Sequence, residues 1–207
     1  MKHFLFSLLC LVFLASAKAQ KSDPPLDNLM PRELIFKDKD KNRITLSKDG
    51  ETIFYQKKAD GSDSTLYFIS GKSPLAERSK RFDGALSNWM PVHQNGLVVV
   101  VRQDTNQYIG FTSTPAASVR KLDVFPFRQV QLLNISARFP NKIVVNLEAR
   151  NPEQSGIYIL DLLSSNLKRI GQMEDFGELF FDENFTIIAG WRPNELGGNS
   201  LLRRVEG

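Results

Sequence analysis

Cysteine is nearly absent from this 207-residue chain, and histidine is rare. The single cysteine, Cys10, lies in the apolar N-terminal segment, and His93 is the single histidine after residue 19. Because zinc sites need cysteine or histidine ligands at close spacing, the sequence predicts no zinc site. A chain without disulfides depends on an apolar core, and this one, with 42% hydrophobic residues, is long enough to build one.

Long apolar runs are also missing, except at the N-terminus. Phe4 to Leu14 follows Lys2 and precedes Ala17-Lys18-Ala19, a small-x-small pattern typical of signal-peptide cleavage. The run is shorter than the roughly 20 apolar residues that a spanning helix needs. The sequence therefore predicts a signal peptide over residues 1–19, export to the periplasm or the cell exterior, and no membrane span after cleavage.

Clustered positive charge is the third absence. The formal net charge is +4, and loss of Lys2 and Lys18 with the signal lowers it to about +2. Proteins that bind nucleic acid concentrate lysine and arginine on one face. We therefore expect no nucleic-acid partner.

Helical periodicity is absent after the signal, and strand patterns recur in its place. Four similar units each contain a strand, a tight turn, a second apolar strand, a polar loop and a third strand. Their turns centre on Gly50, Gly96, Lys142 and Phe185, at intervals of 46, 46 and 43 residues. Asp49-Gly50 is a strong hairpin signal, because glycine accepts the positive φ of a tight turn. A period of about 40–50 residues with several strands per unit is typical of propeller blades.

The second strands support radial stacking of sheets. Leu97 to Val101 and Ile143 to Leu147 are apolar at successive positions, as expected for strands covered on both faces. Fourth strands are predicted at Ser118 to Val124 and Leu167 to Gln172, with a weaker candidate at Leu75 to Ser79. The alternative is an all-β sandwich, whose strands would recur without the longer period.

The predicted fold is thus all-β, a β-propeller of about four blades of four-stranded antiparallel sheet in an incomplete ring. Residues 20–43 form a lead segment that ends in a charged loop, Lys37 to Arg43, and residues 44–207 form the partial propeller. An unclosed ring is expected to expose the outer faces of its first and last blades. Aromatic residues on or near strands are expected to pack between blades: Trp89, Tyr108, Tyr158 and Trp191.

Catalytic signatures are missing as well. The string nearest to the nucleophile elbow Gly-x-Ser-x-Gly is Gly71 to Leu75, which lacks the second glycine. Pro74 in that string also removes a backbone donor that an oxyanion hole would use. Nothing in the sequence selects a nucleophile or a carboxylate partner for His93.

The acidic residues also give no indication of a calcium site or of a pair of catalytic carboxylates. Asp60 to Asp63 is too sparse in oxygen ligands for a calcium loop. Glu174-Asp175 and Asp182-Glu183 are adjacent pairs, and adjacent strand residues point to opposite faces, which is a poor arrangement for acid-base catalysis. The sequence predicts no catalytic, cofactor-binding or metal-binding residues, and no cofactor.

One family resemblance is carried by the first part of the chain. Met30 to Phe36 (MPRELIF), Ile44 to Tyr55 (ITLSKDGETIFY) and Leu66 to Ser70 (LYFIS) resemble the opening of secreted bacterial prolyl oligopeptidase-family peptidases. These are dipeptidyl-peptidase-like and acylaminoacyl-peptidase-like serine peptidases. Lys48 stands where the Ser-Pro-Asp-Gly hairpin of that family has proline.

The resemblance implies a seven- or eight-bladed propeller that caps an α/β-hydrolase domain with a Ser-Asp-His triad. It implies that this chain holds about four blades, stops after the third strand of the fourth, and lacks the hydrolase domain. No catalytic residue of the family is therefore carried over. Acidic residues grip a substrate amino terminus in some members, but Glu148 and Glu153 align with no such motif.

Two functions follow as expectations. In the first, the chain is the gating and substrate-filter portion of an exported prolyl oligopeptidase-like serine peptidase and is not catalytic by itself. In the alternative, it is a non-catalytic periplasmic or surface propeller that binds a protein or a glycan. The expected partner of a completed ring is a peptide substrate or another protein.

Overall fold

The described part of the chain is a set of consecutive antiparallel β-sheets. The computed structural model describes residues 41–57, 64–93, 96–173, 176–195 and 197–203, without the side chains of residues 74 and 75. Every described residue belongs to one unit of the chain, Asp38–Gly207.

The strands of the described residues pair in four sheets, each in chain order. Sheet 1 contains β1 (Lys41–Leu46), β2 (Thr52–Lys57), β3 (Thr65–Ser70) and β4 (Ser73–Arg81). Sheet 2 contains β5 (Ala85–Pro91), β6 (Leu97–Gln103), β7 (Asn106–Thr112) and β8 (Arg120–Lys121). Sheet 3 contains β9 (Phe127–Ile135), β10 (Lys142–Ala149), β11 (Gly156–Asp161) and β12 (Leu167–Gly171). Sheet 4 contains β13 (Glu178–Phe181), β14 (Ile187–Pro193) and β15 (Asn199–Arg203).

Side chains of the second strands divide between two neighbouring sheets. In β6, Leu97, Val99 and Val101 join the apolar cluster between sheets 1 and 2, whereas Val98 and Val100 join the cluster between sheets 2 and 3. All five are at most 1% exposed. Successive strand residues point to opposite faces, so an unbroken apolar run is what a strand between two sheets requires.

A third apolar cluster continues the stack from sheet 3 to sheet 4. Val144 and Ile157 of sheet 3 pack there with Leu179 and Phe185 of the fourth unit. Each sheet therefore packs face to face on the next in chain order.

Contacts between neighbouring sheets include their first strands. Strand β5 contacts both β1 and β9, the first strands of the two neighbouring sheets, and β9 also contacts β7. Consecutive antiparallel sheets stacked in this way are typical of propeller blades. The described residues thus form an incomplete β-propeller, as the sequence predicts.

The bounds of three strands differ from the sequence prediction. Strand β1 begins at Lys41, inside the predicted charged loop, because Lys41 and Asn42 pair with Lys57 and Gln56 of β2. The weak candidate for the fourth strand of sheet 1 lies within β4, which has nine residues. The stronger candidate in sheet 2 yields only the two-residue β8.

The face of sheet 1 that points away from sheet 2 is buried at β2 but exposed at β1. Phe54 packs toward sheet 2, and on the opposite face Ile53 and Tyr55 are 3% and 0% exposed. The Tyr55 and Tyr67 rings stack there with centroids 5.8 Å apart. The expectation of an exposed outer face on the first blade holds at Leu46 of β1, which pairs with Ile53 and is 52% exposed, and fails at Ile53 and Tyr55 of β2.

Candidate functional site

Hydrogen bonds join neighbouring sheets at positions about one repeat apart. Arg43 of β1 donates to the Ser87 carbonyl at 3.0 Å and to Asn88 Oδ1 at 3.2 Å. Ser136 Oγ donates to the Glu183 carbonyl at 2.7 Å. These bonds span 44, 45 and 47 residues of sequence. The sequence period is therefore also the period of the lateral contacts.

Arg43 links the first strands of sheets 1 and 2. It has a φ of 50° at an irregularity in β1 between Asn42 and Thr45. Its guanidinium carbon lies 4.3 Å from the ring centroid of Trp89. Partial burial lowers the pKa of Arg43, but an arginine remains protonated at neutral pH. The residue thus places a stacked cation between two blades.

A groove with a volume of about 370 Å³ lies between sheets 3 and 4, and we name it the cationic groove. Its wall includes the Phe139 and Phe185 rings, whose centroids are 5.6 Å apart. The residues that line it are Phe139, Lys142, Ile159, Asp161, Ser164, Asn166, Leu167, Lys168, Asn184 and Phe185. Its size falls in the range of small-molecule sites.

Three charged side chains lie in the cationic groove. Lys142 Nζ lies 5.6 Å from the Phe139 ring centroid, and Lys168 is exposed. Asp161 Oδ1 accepts backbone N–H bonds from Leu163 at 3.0 Å and Ser164 at 2.9 Å. The bond from Ser164 is the main cause that lowers the pKa of Asp161, with a smaller contribution from Lys142. The carboxylate is therefore ionised at neutral pH and held by its own loop.

A second groove, of about 350 Å³, lies between sheets 2 and 3. Arg150 donates there to Asn106 Oδ1, and Lys121 Nζ lies 5.1 Å from the Tyr108 ring centroid. Desolvation raises the pKa of Tyr108, so its hydroxyl is neutral at physiological pH. Both cations of this groove are held by neighbouring side chains.

Sheet 4 has an exposed apolar face. Leu201 of β15 pairs with Trp191 of β14, so both side chains lie on the same face. Trp191 also contacts the Phe180 ring edge-on, with centroids 6.5 Å apart. Leu201 is 54% exposed, and Ile188, at an irregularity of β14, is 46% exposed. Large apolar residues exposed together mark a surface that packs against another element.

The residues considered as a nucleophile and a base lie on different sheets. Ser73 is exposed at the start of β4 and pairs with Ser70. His93 is half-buried after β5, and its carbonyl accepts the Gly96 N–H at 3.4 Å. The two positions belong to sheets 1 and 2, and the geometry does not bring them together as a catalytic pair.

Asp182 organises a turn. Its Oδ1 accepts backbone N–H bonds from Asn184 at 2.8 Å and Thr186 at 2.7 Å. The neighbouring Glu183 uses its carbonyl to accept from Ser136. The acidic segments at residues 60–63 and 174–175 lie outside the described residues.

Three of the four aromatics pack between sheets, as predicted. Trp89 and Tyr158 are 6% and 7% exposed within inter-sheet clusters, and Tyr108 packs against the cluster of sheets 1 and 2. Trp191 instead lies on the exposed face of sheet 4. Glu148 and Glu153 are exposed, and the Glu153 carbonyl accepts a hydrogen bond from Arg169.

Among the described residues, no group of three or more His, Cys, Asp or Glu side chains is placed to hold a metal ion. In that same part of the chain, no helix is both long and apolar enough to cross a membrane.

Sequence reasoning misses the cationic groove and the role of Arg43. The sequence pattern identifies Phe139 and Lys142 only as part of a turn, and Asp161 only as the end of a strand. Phe185, which meets Phe139 in the groove, lies more than 40 residues further along the chain. The shared period is the available signal, since it places equivalent turns of successive blades side by side.

The comparisons with known proteins agree with this architecture. No family model matches the chain. Dipeptidyl aminopeptidase BIII of Pseudoxanthomonas mexicana is 22% identical over 220 aligned residues, which cover 99% of this chain and 32% of that protein. The chain is a propeller segment related to prolyl oligopeptidase-family peptidases. It spans about a third of the length of the curated relative that it matches.

Two solved structures align with part of the chain. The acylaminoacyl peptidase of Pyrococcus horikoshii aligns with a TM-score of 0.48 and 14% identity, over 82% of this chain and 32% of that one. A putative TolB from Agrobacterium tumefaciens aligns with a TM-score of 0.46 and 13% identity, over 79% of this chain and 61% of that one.

Proposed function

We propose that this chain is the gating and substrate-filter portion of an exported prolyl oligopeptidase-like serine peptidase, with acyl transfer performed by a separate hydrolase domain. The observation that carries the proposal is the alignment to a dipeptidyl aminopeptidase along 99% of this chain but 32% of that enzyme. An alignment that covers nearly all of this chain but only about a third of the aminopeptidase indicates that the shared part is one module of a larger enzyme.

The exposed face of sheet 4 supports the same proposal. Sheets 2 and 3 are covered on both faces by their neighbours, whereas Leu201 and Ile188 remain exposed on sheet 4. A further sheet of the same repeat would bury that face as sheet 3 buries one face of sheet 2. The proposal therefore includes additional blades that complete a ring.

The filter role follows from the ring geometry. A completed propeller leaves a central channel lined by the first strands of its blades, and the width of that channel limits which substrates reach a chamber beneath it. Arg43 stiffens the inner edge, because it joins β1 to Ser87 and Asn88 of β5. Export is part of the proposal and rests on the signal-like segment over residues 1–19.

A peptidase assay distinguishes the activity of this chain from that of the whole enzyme. We expect the 207-residue chain to release no chromophore from a dipeptidyl p-nitroanilide. We also expect the reading frame after Gly207 to encode further units of about 45 residues and a Gly-x-Ser-x-Gly elbow. Hydrolysis by the chain alone would contradict the proposal, and a stop codon directly after Gly207 would contradict it in favour of a binding propeller.

The filter is tested in the longer protein by loosening one inter-blade link. Arg43→Ala removes the contacts to sheet 2, so kcat/KM for a long peptide should rise relative to that for a dipeptide. Arg78→Ala on the exposed outer strand β4 is the matched control and should leave the ratio unchanged. An unchanged ratio in Arg43→Ala would show that this link does not control access.

A further inference from the structure

We propose that the cationic groove between sheets 3 and 4 binds a small organic anion that carries an aromatic ring. The inference does not depend on the peptidase proposal, because the groove lies between two described sheets and not in the channel of a completed ring. It rests on the arrangement of apolar and cationic side chains along one face of sheet 3.

The register of sheet 3 places these side chains on one face. Val144 pairs with Ile159, and Lys142 pairs with Asp161 two positions away on each strand. Lys168 of β12 pairs with Ile159 and shares the face. The face that packs on sheet 4 is thus apolar at Val144 and Ile159 and charged at the end of the β10–β11 pair and on the outer strand β12.

The aromatic wall comes from two different blades. Phe139 lies in the turn before β10, and Phe185 lies in the turn before β14 with a φ of 62°. Phe185 is 3% exposed and therefore fixed in position. Phe185 supports the Phe139 ring, which is half-buried and presents the surface that a planar ligand ring can contact, worth about 0.5–1.5 kcal/mol beyond burial in comparable aromatic pairs.

The two lysines retain unneutralised charge. In the described part of the chain, neither Lys142 nor Lys168 has a carboxylate oxygen within 4.0 Å. Asp161 is turned toward the backbone N–H groups of Leu163 and Ser164. Two cations and one anion leave the groove with a net charge of +1, which favours an anionic ligand.

The second groove has similar size but different chemistry. Arg150 already donates to Asn106, and Lys121 is placed over Tyr108. Lys142 lies over Phe139 in a comparable way, so the second groove differs mainly in that an anion would have to compete for a cation, Arg150, that is already hydrogen-bonded to a side chain. The groove between sheets 2 and 3 therefore provides a matched control on the same molecule.

Phenyl phosphate is a suitable probe, since it combines a ring with a dianion. Titrated into the full chain and followed by calorimetry or by ligand-observed NMR, it should bind with a dissociation constant on the order of 1 mM, as expected for a ligand of its size. Phenol has the aromatic ring without the negative charge, and inorganic phosphate has the charge without the ring. Each should bind about tenfold more weakly than phenyl phosphate. Raising the salt concentration should weaken the binding of phenyl phosphate.

Variants locate the site. Lys168→Gln should weaken binding about two- to fivefold and Lys142→Gln/Lys168→Gln about tenfold, because each exposed cation contributes modestly. Lys121→Gln in the second groove should leave the affinity unchanged. Circular dichroism checks that each variant keeps its fold, and Lys168 is exposed, so its replacement leaves the core intact.

Three results would overturn the proposal. The first is no binding of phenyl phosphate at about 20 mM, well above the expected constant. The second is equal binding of inorganic phosphate, which would mean that the aromatic wall is not used. The third is a loss of affinity in Lys121→Gln as large as that in Lys168→Gln, which would mean that the anion binds by general charge attraction.

Discussion

At the scale of single residues, backbone geometry decides which substitutions the chain tolerates. Gly84, between β4 and β5, has a φ of 125°. A Cβ atom there would overlap the Arg102 carbonyl oxygen, which belongs to the backbone and has little freedom to move. A Cβ atom on Gly177 would meet nothing within 4 Å beyond its own chain neighbours, so this glycine offers a matched comparison.

Gly84→Ala should lower the free energy of unfolding by about 1–3 kcal/mol, because it adds backbone strain and a clash. Chemical denaturation with fluorescence detection of the two tryptophans measures the change. Gly177→Ala is the control and should change stability by less than about 1 kcal/mol. Equal effects in the two variants would contradict the strained geometry at Gly84.

Two aspartates in turns, Asp161 and Asp182, make the free energy of unfolding depend on pH. Backbone N–H bonds, from Ser164 to Asp161 and from Thr186 to Asp182, are the first cause that lowers each pKa below the ordinary 3.8. A folded-state pKa below the unfolded value means that the unfolded chain binds protons more readily. The stabilisation is therefore complete at pH values above the pKa of the unfolded chain, and it is lost as the pH falls through the lower pKa of the folded chain.

Unfolding midpoints measured from about pH 6 down to about pH 2 should stay level to near pH 4 and then fall. Asp182→Asn keeps an oxygen that accepts hydrogen bonds but removes the charge, so its acid-dependent loss should be smaller than that of the unmodified chain. A midpoint that rises on acidification would contradict the assigned role of these carboxylates.

At the scale of strands, burial on both faces makes the second strands the most sensitive elements. Ile143 of β10 is 0% exposed and packs in the cluster between sheets 2 and 3. The sequence indicates this burial, because Val144 and Val145 continue the apolar run without alternation. Strand β4 is harder to predict, since its charged residues resemble a loop and only pairing with β3 makes them a strand.

Ile143→Ala should cost about 2–5 kcal/mol of stability, because it removes buried methyl groups and leaves a cavity. Leu163→Ala, at a position 60% exposed in the β11–β12 turn, should change stability by less than about 0.5 kcal/mol. Denaturation midpoints of both variants provide the measurement. A small effect of Ile143→Ala would mean that β10 is not enclosed between two sheets.

At the scale of the whole described unit, the outer edges of the sheets are protected against pairing with other chains, whereas the end face at sheet 4 is not. The outermost strands of sheets 1 to 3 each carry an adjacent pair of cations: Lys80-Arg81, Arg120-Lys121 and Lys168-Arg169. Charged edges resist pairing with other chains. Sheet 4 carries Leu201 and Ile188 exposed on its face, so we expect self-association to occur there.

Leu201→Lys should reduce self-association of the chain, measured by light scattering against concentration, without lowering its unfolding midpoint. Leu163→Lys changes a similarly exposed leucine away from sheet 4 and serves as the control. If both substitutions reduce scattering equally, added charge and not the face of sheet 4 explains the effect.

The sequence by itself determined the repeat, the strand order and the identity of the buried strands. Asp49-Gly50 sets a turn through local backbone preference, and Leu97 to Val101 sets a doubly buried strand through an unbroken apolar run. Both signals are contained in a few consecutive residues, so they can be recognised without knowing the neighbouring sheets.

Tertiary structure alone decided the lateral contacts. Arg43 stacks on Trp89, and Phe139 meets Phe185, across about one full repeat of sequence. Such pairs depend on how far each sheet is rotated and shifted against the next, which results from the packing of all inter-sheet side chains together. No local sequence pattern specifies this rotation and shift between sheets. For this reason the cationic groove could be identified only in the folded chain.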